Sequence, residues 1–526
     1  MVAAAHPLAV QIGLDVLKAG GSAVDAAIAT NAALGFLEPV SCGLGGDLFA
    51  MVWDPSSEKL YGLNASGRAP AALTIDKVPA TAGGTIPVYS PYSWTVPGCA
   101  DGWFELHARF GRLPIKDLLG PVAVMAREGA PVPQVIAGSW AYGAARFRDF
   151  PGFAEVFIPG GKVPAEGDVF ANPALANTLE VLAAGGREAF YEGEIAEQIV
   201  AYSNEVGGFF TMGDFADHVS EWVQPISTTY RGLSVWELPP NPQGLAALQM
   251  LNILEGFDLA AMGRDSTDFW HLMVETKKLA YEDRARYYAD MQFSEVPVEA
   301  LLDKGYAAER AKLIDMAKAA DTYEPGNPAL NHGDTTFLVA ADSSGMLVSL
   351  IQSNYTGFGS GYVVPSVGIG IQDRGALFSL DPDHPNALEP GKRPFHTIIP
   401  AFMGWNGVPD TAFGLMGGDM QPQGHVQIVV NLVDFGMNLQ EAGDAPRFHH
   451  TGSSDPRGPV MTSGGVLHLE SGLPQEVYRD LDKRGHDIEQ TSPGTFGGYQ
   501  IIYRDPETGV LAGATESRKD GMAAGY

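Results

Sequence analysis

Apolar positions along the chain recur with two different periods, and the change of period outlines the elements. In residues 6–18, Leu8, Val10, Ile12, Leu14, Val16 and Leu17 repeat at helical spacing, and Gly20-Gly21 stops the run. A second helix is expected from Ser22 or Asp25 to Leu37; it is small and apolar nearly all round, which implies burial. Residues 48–53 and 60–66 read as strands. A mainly helical stretch follows, with a helix from Asp101 and amphipathic runs at 118–127, 173–184 and 195–205. Strands are expected at 226–230, 233–238, 398–403 and 411–415, and helices at 245–254, 269–288, 304–318 and 423–433. No internal repeat or low-complexity tract interrupts the series.

One stretch organises the rest. Residues 335–341 are rich in Thr, Phe, Val and Ala, Asp342-Ser343-Ser344-Gly345 supplies a turn, and 346–353 resumes an apolar run. The pattern predicts a β-hairpin. Residues 321–333 carry two prolines and two glycines without apolar period, and read as a loop. Thr335 and Thr336 therefore sit where a loop becomes a buried strand. On pattern alone they are ordinary strand residues.

Composition narrows the chemistry. Hydrophobic residues make up 45% of 526, enough for a large core. With 33 basic and 62 acidic residues the formal charge is −29, which argues against nucleic acid or an anionic membrane surface as partner. Cys42 and Cys99 make no disulfide framework, and a single bridge between them stays open. The spacing of Cys and His offers no four-ligand zinc site, and adjacent His449-His450 are poorly placed to share one ion; no metal and no cofactor is expected. The turn Gly43-Leu44-Gly45-Gly46 runs into a strand rather than onto a helix, so its glycines read as sites of close backbone approach, not as a phosphate loop. No run of about 18 apolar residues is present. The first residues lack a basic signal-type segment, which predicts a cytoplasmic protein as given, or a periplasmic or secreted one if the N-terminus is truncated.

Several motifs together resemble the γ-glutamyltransferase (glutathione hydrolase) family of N-terminal-nucleophile hydrolases. They are the opening His6-Pro7-Leu8-Ala9 and Gly20-Gly21-Ser22-Ala23-Val24-Asp25-Ala26-Ala27, Asp334-Thr335-Thr336 at a strand start, Gly357-Phe358-Gly359-Ser360-Gly361, and Met416-Gly417-Gly418. The likeness spans nearly the whole chain. It implies an α+β, four-layer αββα sandwich and a self-cleavage site between Asp334 and Thr335. A large subunit 1–334 and a small subunit 335–526 would together form one αββα unit. It further implies that Thr335 is the nucleophile, with its own freed α-amino group as base. Gly417 and Gly418 would supply oxyanion donors, Ser353 would bond the amine, and Arg68 would hold a substrate carboxylate. Each has a plainer reading: a strand-to-helix turn for the glycines, a strand-end serine, and a salt-bridged surface arginine.

The chain departs from the family where specificity is set. Leu377 stands where a γ-glutamyl enzyme has the aspartate for the substrate ammonium, His396-Thr397 replace a serine pair, and Tyr355 replaces an asparagine. A leucine cannot pair an ammonium. Asp373 is a candidate replacement anchor. These features resemble the branch with oxamate amidohydrolases and glutaryl or cephalosporin acylases. The expected function is a self-processing amide hydrolase or acyltransferase that cleaves a γ-glutamyl or related small acidic acyl amide through a Thr335 acyl-enzyme. The alternatives are an oxamate-type amidohydrolase or glutaryl acylase without γ-glutamyl specificity, and an uncleaved scaffold or binding protein. The expected partners are a small-molecule amide substrate with an acidic acyl group and the chain's own two subunits.

Overall fold

A computed structural model describes residues 1–79, 81, 83–324, 334–491 and 493–526. Residues 325–333 of the expected loop, next to the expected cleavage site, lie outside the described residues.

Local sequence explains the first elements. Ser22 caps the helix Ala23–Leu37 through a capping box with Asp25, and all but one of its residues are buried. The hairpin forms from Asp334–Ala341 and Leu347–Tyr355, with Gly345 at φ 90° in the turn. This hairpin lies inside a seven-stranded sheet. The strand order is Met522–Ala524, Val2–Ala4, Asp334–Ala341, Leu347–Tyr355, Asp47–Asp54, Lys59–Ala65 and Glu221–Val223. A six-stranded sheet follows the order Leu511–Thr515, Gly498–Arg504, Thr411–Met416, Ala401–Trp405, Leu233–Glu237 and Ile226–Tyr230. Every pairing within both is antiparallel.

The alternation of side chains along Asp334–Ala341 displays the layers. Leu338 and Ala340 face one core, with Ile28 and Leu34 of the helix Ala23–Leu37. Phe337, Val339 and Ala341 point the other way, into a core with Phe402, Ala412 and Ile502 of the second sheet. The far face of that sheet, through Val235, Met403 and Phe413, packs on Leu248, Trp270 and Ile428 of three further helices. Helix, sheet, sheet and helix thus form the expected αββα sandwich, with Thr335 at the start of an inner strand.

Two expected elements shift because side chains take backbone partners. The strand predicted at 398–403 begins only at Ala401. The Ile398 N–H bonds His396 Nδ1 at 3.3 Å and the Ile399 N–H bonds Gln421 Oε1 at 2.9 Å. The helix predicted over 304–318 stops at Ala311. The Ala319 N–H, which would close an α-helical bond on Asp315, goes to the Arg484 carbonyl at 2.7 Å, and the Asp315 carbonyl accepts from His271 Nε2 at 2.9 Å and from the Lys318 N–H at 3.1 Å. Cys42 and Cys99 are buried free thiols. Close approach accounts for Gly45: a Cβ there would lie 1.9 Å from the Gly370 carbonyl oxygen. No helix among the described residues is long and apolar enough to cross a membrane.

Candidate active site

Thr335 faces a bulge. Thr336 pairs with Gln352 and Asp334 with Tyr355, so Ser353 and Asn354 together oppose the single residue Thr335. The bulge bends the partner strand and carries Tyr355 to φ 80°, a left-handed value unusual for a bulky residue. The Tyr355 N–H then donates to Ser353 Oγ at 2.8 Å, and the Arg374 guanidinium lies over the Tyr355 ring, 4.5 Å from its centroid.

Ser353 Oγ thereby becomes a hub. It accepts from Thr335 Oγ1 at 3.3 Å and from Arg374 Nη2 at 3.0 Å. The other Arg374 terminus donates to Thr397 Oγ1 at 2.7 Å. On the opposite side, Gln421 Nε2 approaches Thr335 Oγ1 at 3.5 Å, its amide oriented by the Ile399 N–H on Oε1. Thr335 and Ser353 are almost wholly buried, so their hydroxyls are held by the protein rather than by water.

Gly417 and Gly418 lie between the strand Thr411–Met416 and the helix Met420–Val433. Their φ values, 128° and 58°, lie in the left-handed region that favours glycine. Among the described residues neither N–H has an acceptor, and Gly417 lines the cleft that Thr335 opens onto while Gly418 is buried beside it. A Cβ at Gly417 would come within 3.2 Å of Gly497 Cα and Met420 Cβ. The buried ion pair of Arg284 with Asp419, 2.7 Å apart, anchors the backbone immediately after the two glycines.

Behind Thr335 lies a buried charged network. Burial pushes the Arg374 guanidinium down to about 10, against the opposing pull of Asp47, Tyr355 and Asp373, so it stays charged at neutral pH. Burial also raises Asp47 to about 6 and Asp373 to about 7. Asp373 accepts from the Thr356 N–H at 3.1 Å and from its hydroxyl. His396 is held neutral by burial, and its Nδ1 accepts from Ile398. The proton therefore sits on Nε2, which donates to Asp47 Oδ2 at 3.1 Å. Glu38, raised to about 7 by burial, accepts from Thr336 Oγ1 at 3.4 Å.

Thr335 opens onto a cleft of about 570 Å³, bounded among others by Gly417, Thr356, Tyr89, Arg146, His449 and Lys519. Of the residues singled out from sequence, the structure brings Thr335, Ser353 and Gly417 together, with Gly418 next in chain. It does not bring Arg68 to the cleft wall. Arg68 pairs with Asp290 at 3.6 Å and bonds Gln292 and the Gly391 carbonyl. Tyr355, His396 and Thr397 sit behind Ser353 in the buried network, not on the cavity surface. Leu377 is buried in the core between the second sheet and its helices. Sequence reading missed Arg374 and Gln421. Nothing in their spacing marks them, since both reach the site only through folding.

A sandwich of this kind, with a threonine and a hydroxyl partner at the mouth of an inner strand, defines an N-terminal-nucleophile hydrolase. The comparisons agree. The Gamma-glutamyltranspeptidase family pattern matches residues 9–526, and the chain belongs to that family and is an enzyme of it. It is 35% identical to the Glutathione hydrolase-like YwrD proenzyme of Bacillus subtilis, covering 100% of this chain and 98% of that one. It is 36% identical to the Oxamate amidohydrolase proenzyme of Klebsiella pneumoniae, covering 100% and 98%. The crystal structure of cephalosporin acylase from Bacillus halodurans superposes with a TM-score of 0.92 at 45% identity, over 100% of this chain and 95% of that one.

Proposed function

We propose that the chain is a precursor that cuts itself between Asp334 and Thr335, and that the freed Thr335 hydrolyses amides of a small acid. The observation that carries this reading is the meeting of Ser353 Oγ and Gln421 Nε2 on the Thr335 hydroxyl, in a cleft that Gly417 also lines. Similarity to chains described as proenzymes supports it.

In maturation, Thr335 Oγ1 attacks the Asp334 carbonyl carbon and loses its proton. The C–N bond breaks and the nitrogen gains a proton. Water then hydrolyses the ester, releasing the Asp334 carboxylate and restoring the threonine hydroxyl. The products are residues 1–334 and 335–526. In turnover, the new α-amino group, with an ordinary pKa of about 7.7–8.0, takes the hydroxyl proton as Oγ1 attacks the substrate carbonyl. The N–H groups of Gly417 and Gly418 stabilise the oxyanion. The amine leaves with the proton, and water or an acceptor amine takes the acyl group.

The cleft also bears on the acyl group. Among the described residues that line it there is no carboxylate, so no acidic side chain there would pair a substrate ammonium. This favours acyl groups of the oxamate or glutaryl kind, which carry a carboxylate without an α-ammonium, over γ-glutamyl groups.

Intact mass of purified protein beside a Thr335→Ala control tests the reading. Two fragments with Thr335 as a new N-terminus are expected, and one uncut chain in the control. An uncut wild-type chain would overturn the self-processing reading.

A further inference from the structure

The chain carries 62 acidic and 33 basic residues, yet the described residues lining the Thr335 cleft include Arg146 and Lys519 and no carboxylate. Lys519 is partly engaged, close to the Gly494 carbonyl oxygen at 3.5 Å and attracted by Glu38. Arg146 differs: no carboxylate pairs with it among the described residues. It sits at the end of the helix Gln134–Phe147 and is gripped by two phenols. One guanidinium nitrogen donates to the Tyr89 hydroxyl and the other to the Tyr142 hydroxyl at 2.9 Å. Its guanidinium carbon lies over both rings, 4.9 and 5.3 Å from their centroids. Tyr89 also feels Thr356 and Asp373, so the clamp joins the network behind the nucleophile. Arg146, Tyr89 and Tyr142 further line an adjoining cavity of about 290 Å³, so the guanidinium faces open space on two sides.

Two phenol acceptors satisfy only part of a five-donor guanidinium and fix its orientation. A pre-oriented, ion-unpaired arginine on a carboxylate-free wall is suited to a planar anion. We propose that Arg146, clamped by Tyr89 and Tyr142, is the specificity-determining residue that binds a carboxylate of the amide substrate. This assignment rests on the Thr335 reading and gives the acid-binding role to Arg146 in place of the ion-paired Arg68.

The test uses the full chain after purification, scored first for cleavage by intact mass. Binding of glutarate is measured by calorimetry for wild type, Arg146→Met, Arg146→Lys and Lys519→Met. Hydrolysis of glutaryl-p-nitroanilide is compared with that of its methyl ester. Arg146→Met is expected to weaken glutarate binding by about 10- to 100-fold, the worth of a charge-assisted contact. It should lower kcat/KM for the free acid by a similar factor through KM, and leave the methyl ester and the extent of cleavage unchanged. Arg146→Lys should recover part of the loss. Unchanged glutarate binding in Arg146→Met, an equal loss on acid and ester, or a loss in Lys519→Met alone would overturn the assignment. Failure of the Thr335 reading appears separately, as an uncut chain, and glutarate binding by that chain still tests Arg146.

Discussion

Arg374 and Thr335 meet on one oxygen. Ser353 Oγ accepts from Arg374 Nη2 at 3.0 Å and from Thr335 Oγ1 at 3.3 Å, so a buried cation polarises the hydroxyl beside Thr335. Arg374 is in turn braced by Thr397 and by the ring of Tyr355. The bulge at Ser353-Asn354 is what lets a strand residue present its hydroxyl to both.

Ser353→Ala removes this hub and leaves Arg374 Nη2 and the Tyr355 N–H without their acceptor. We expect kcat to fall about 10- to 100-fold with KM nearly unchanged, because Ser353 does not line the substrate cavity. Steady-state kinetics of the mature variant on an anilide substrate check this. A change carried by KM alone would contradict it.

Gly417→Ala forces a side chain onto φ 128° and against Gly497 and Met420. Displacing that N–H should cost about 10²- to 10³-fold in kcat. Cleavage at Thr335 should slow as well if the same donor serves both reactions, which timed gels of fresh protein can measure.

Asp419→Ala leaves Arg284 buried without its anion. Loss of one partner from a buried pair costs about 3–5 kcal/mol. Arg284 and Asp419 are fully buried, so denaturant unfolding of the variant should show a loss in this range. The same change should lower activity in the fraction still folded, since Asp419 anchors the turn after Gly418.

Asp373 gives a pH signature. Burial raises its carboxyl from an ordinary 3.8 to about 7 in the folded protein, so the folded state holds this proton more tightly than the unfolded chain. Its contribution to stability is full below about pH 4 and is lost as pH rises through 7. Asp373→Asn cannot titrate. Its melting temperature relative to wild type should therefore rise between pH 5 and pH 8, with the buried histidines cancelling in the difference. A difference independent of pH would show that Asp373 titrates normally.

Local chemistry in the sequence determined most of the elements. The capping box of Ser22 and Asp25, the Asp342–Gly345 turn and the period-two alternation of Phe337 to Ala341 depend on neighbours a few residues away. Resemblance to family motifs, rather than periodicity, singled out Thr335 and the Gly417-Gly418 turn, which on pattern alone are a strand residue and a strand-to-helix turn. Only the tertiary structure decided what surrounds them. Arg374 and Gln421 reach Thr335 because two sheets stack and a bulge turns one strand, and Arg146 reaches the cleft from a helix nearly two hundred residues earlier in the chain. Arg68 has the right charge yet is spent on Asp290. Periodicity reports that a side chain is buried or exposed; which group lies opposite is set by long-range packing, and the electrostatics of this site come from those partners.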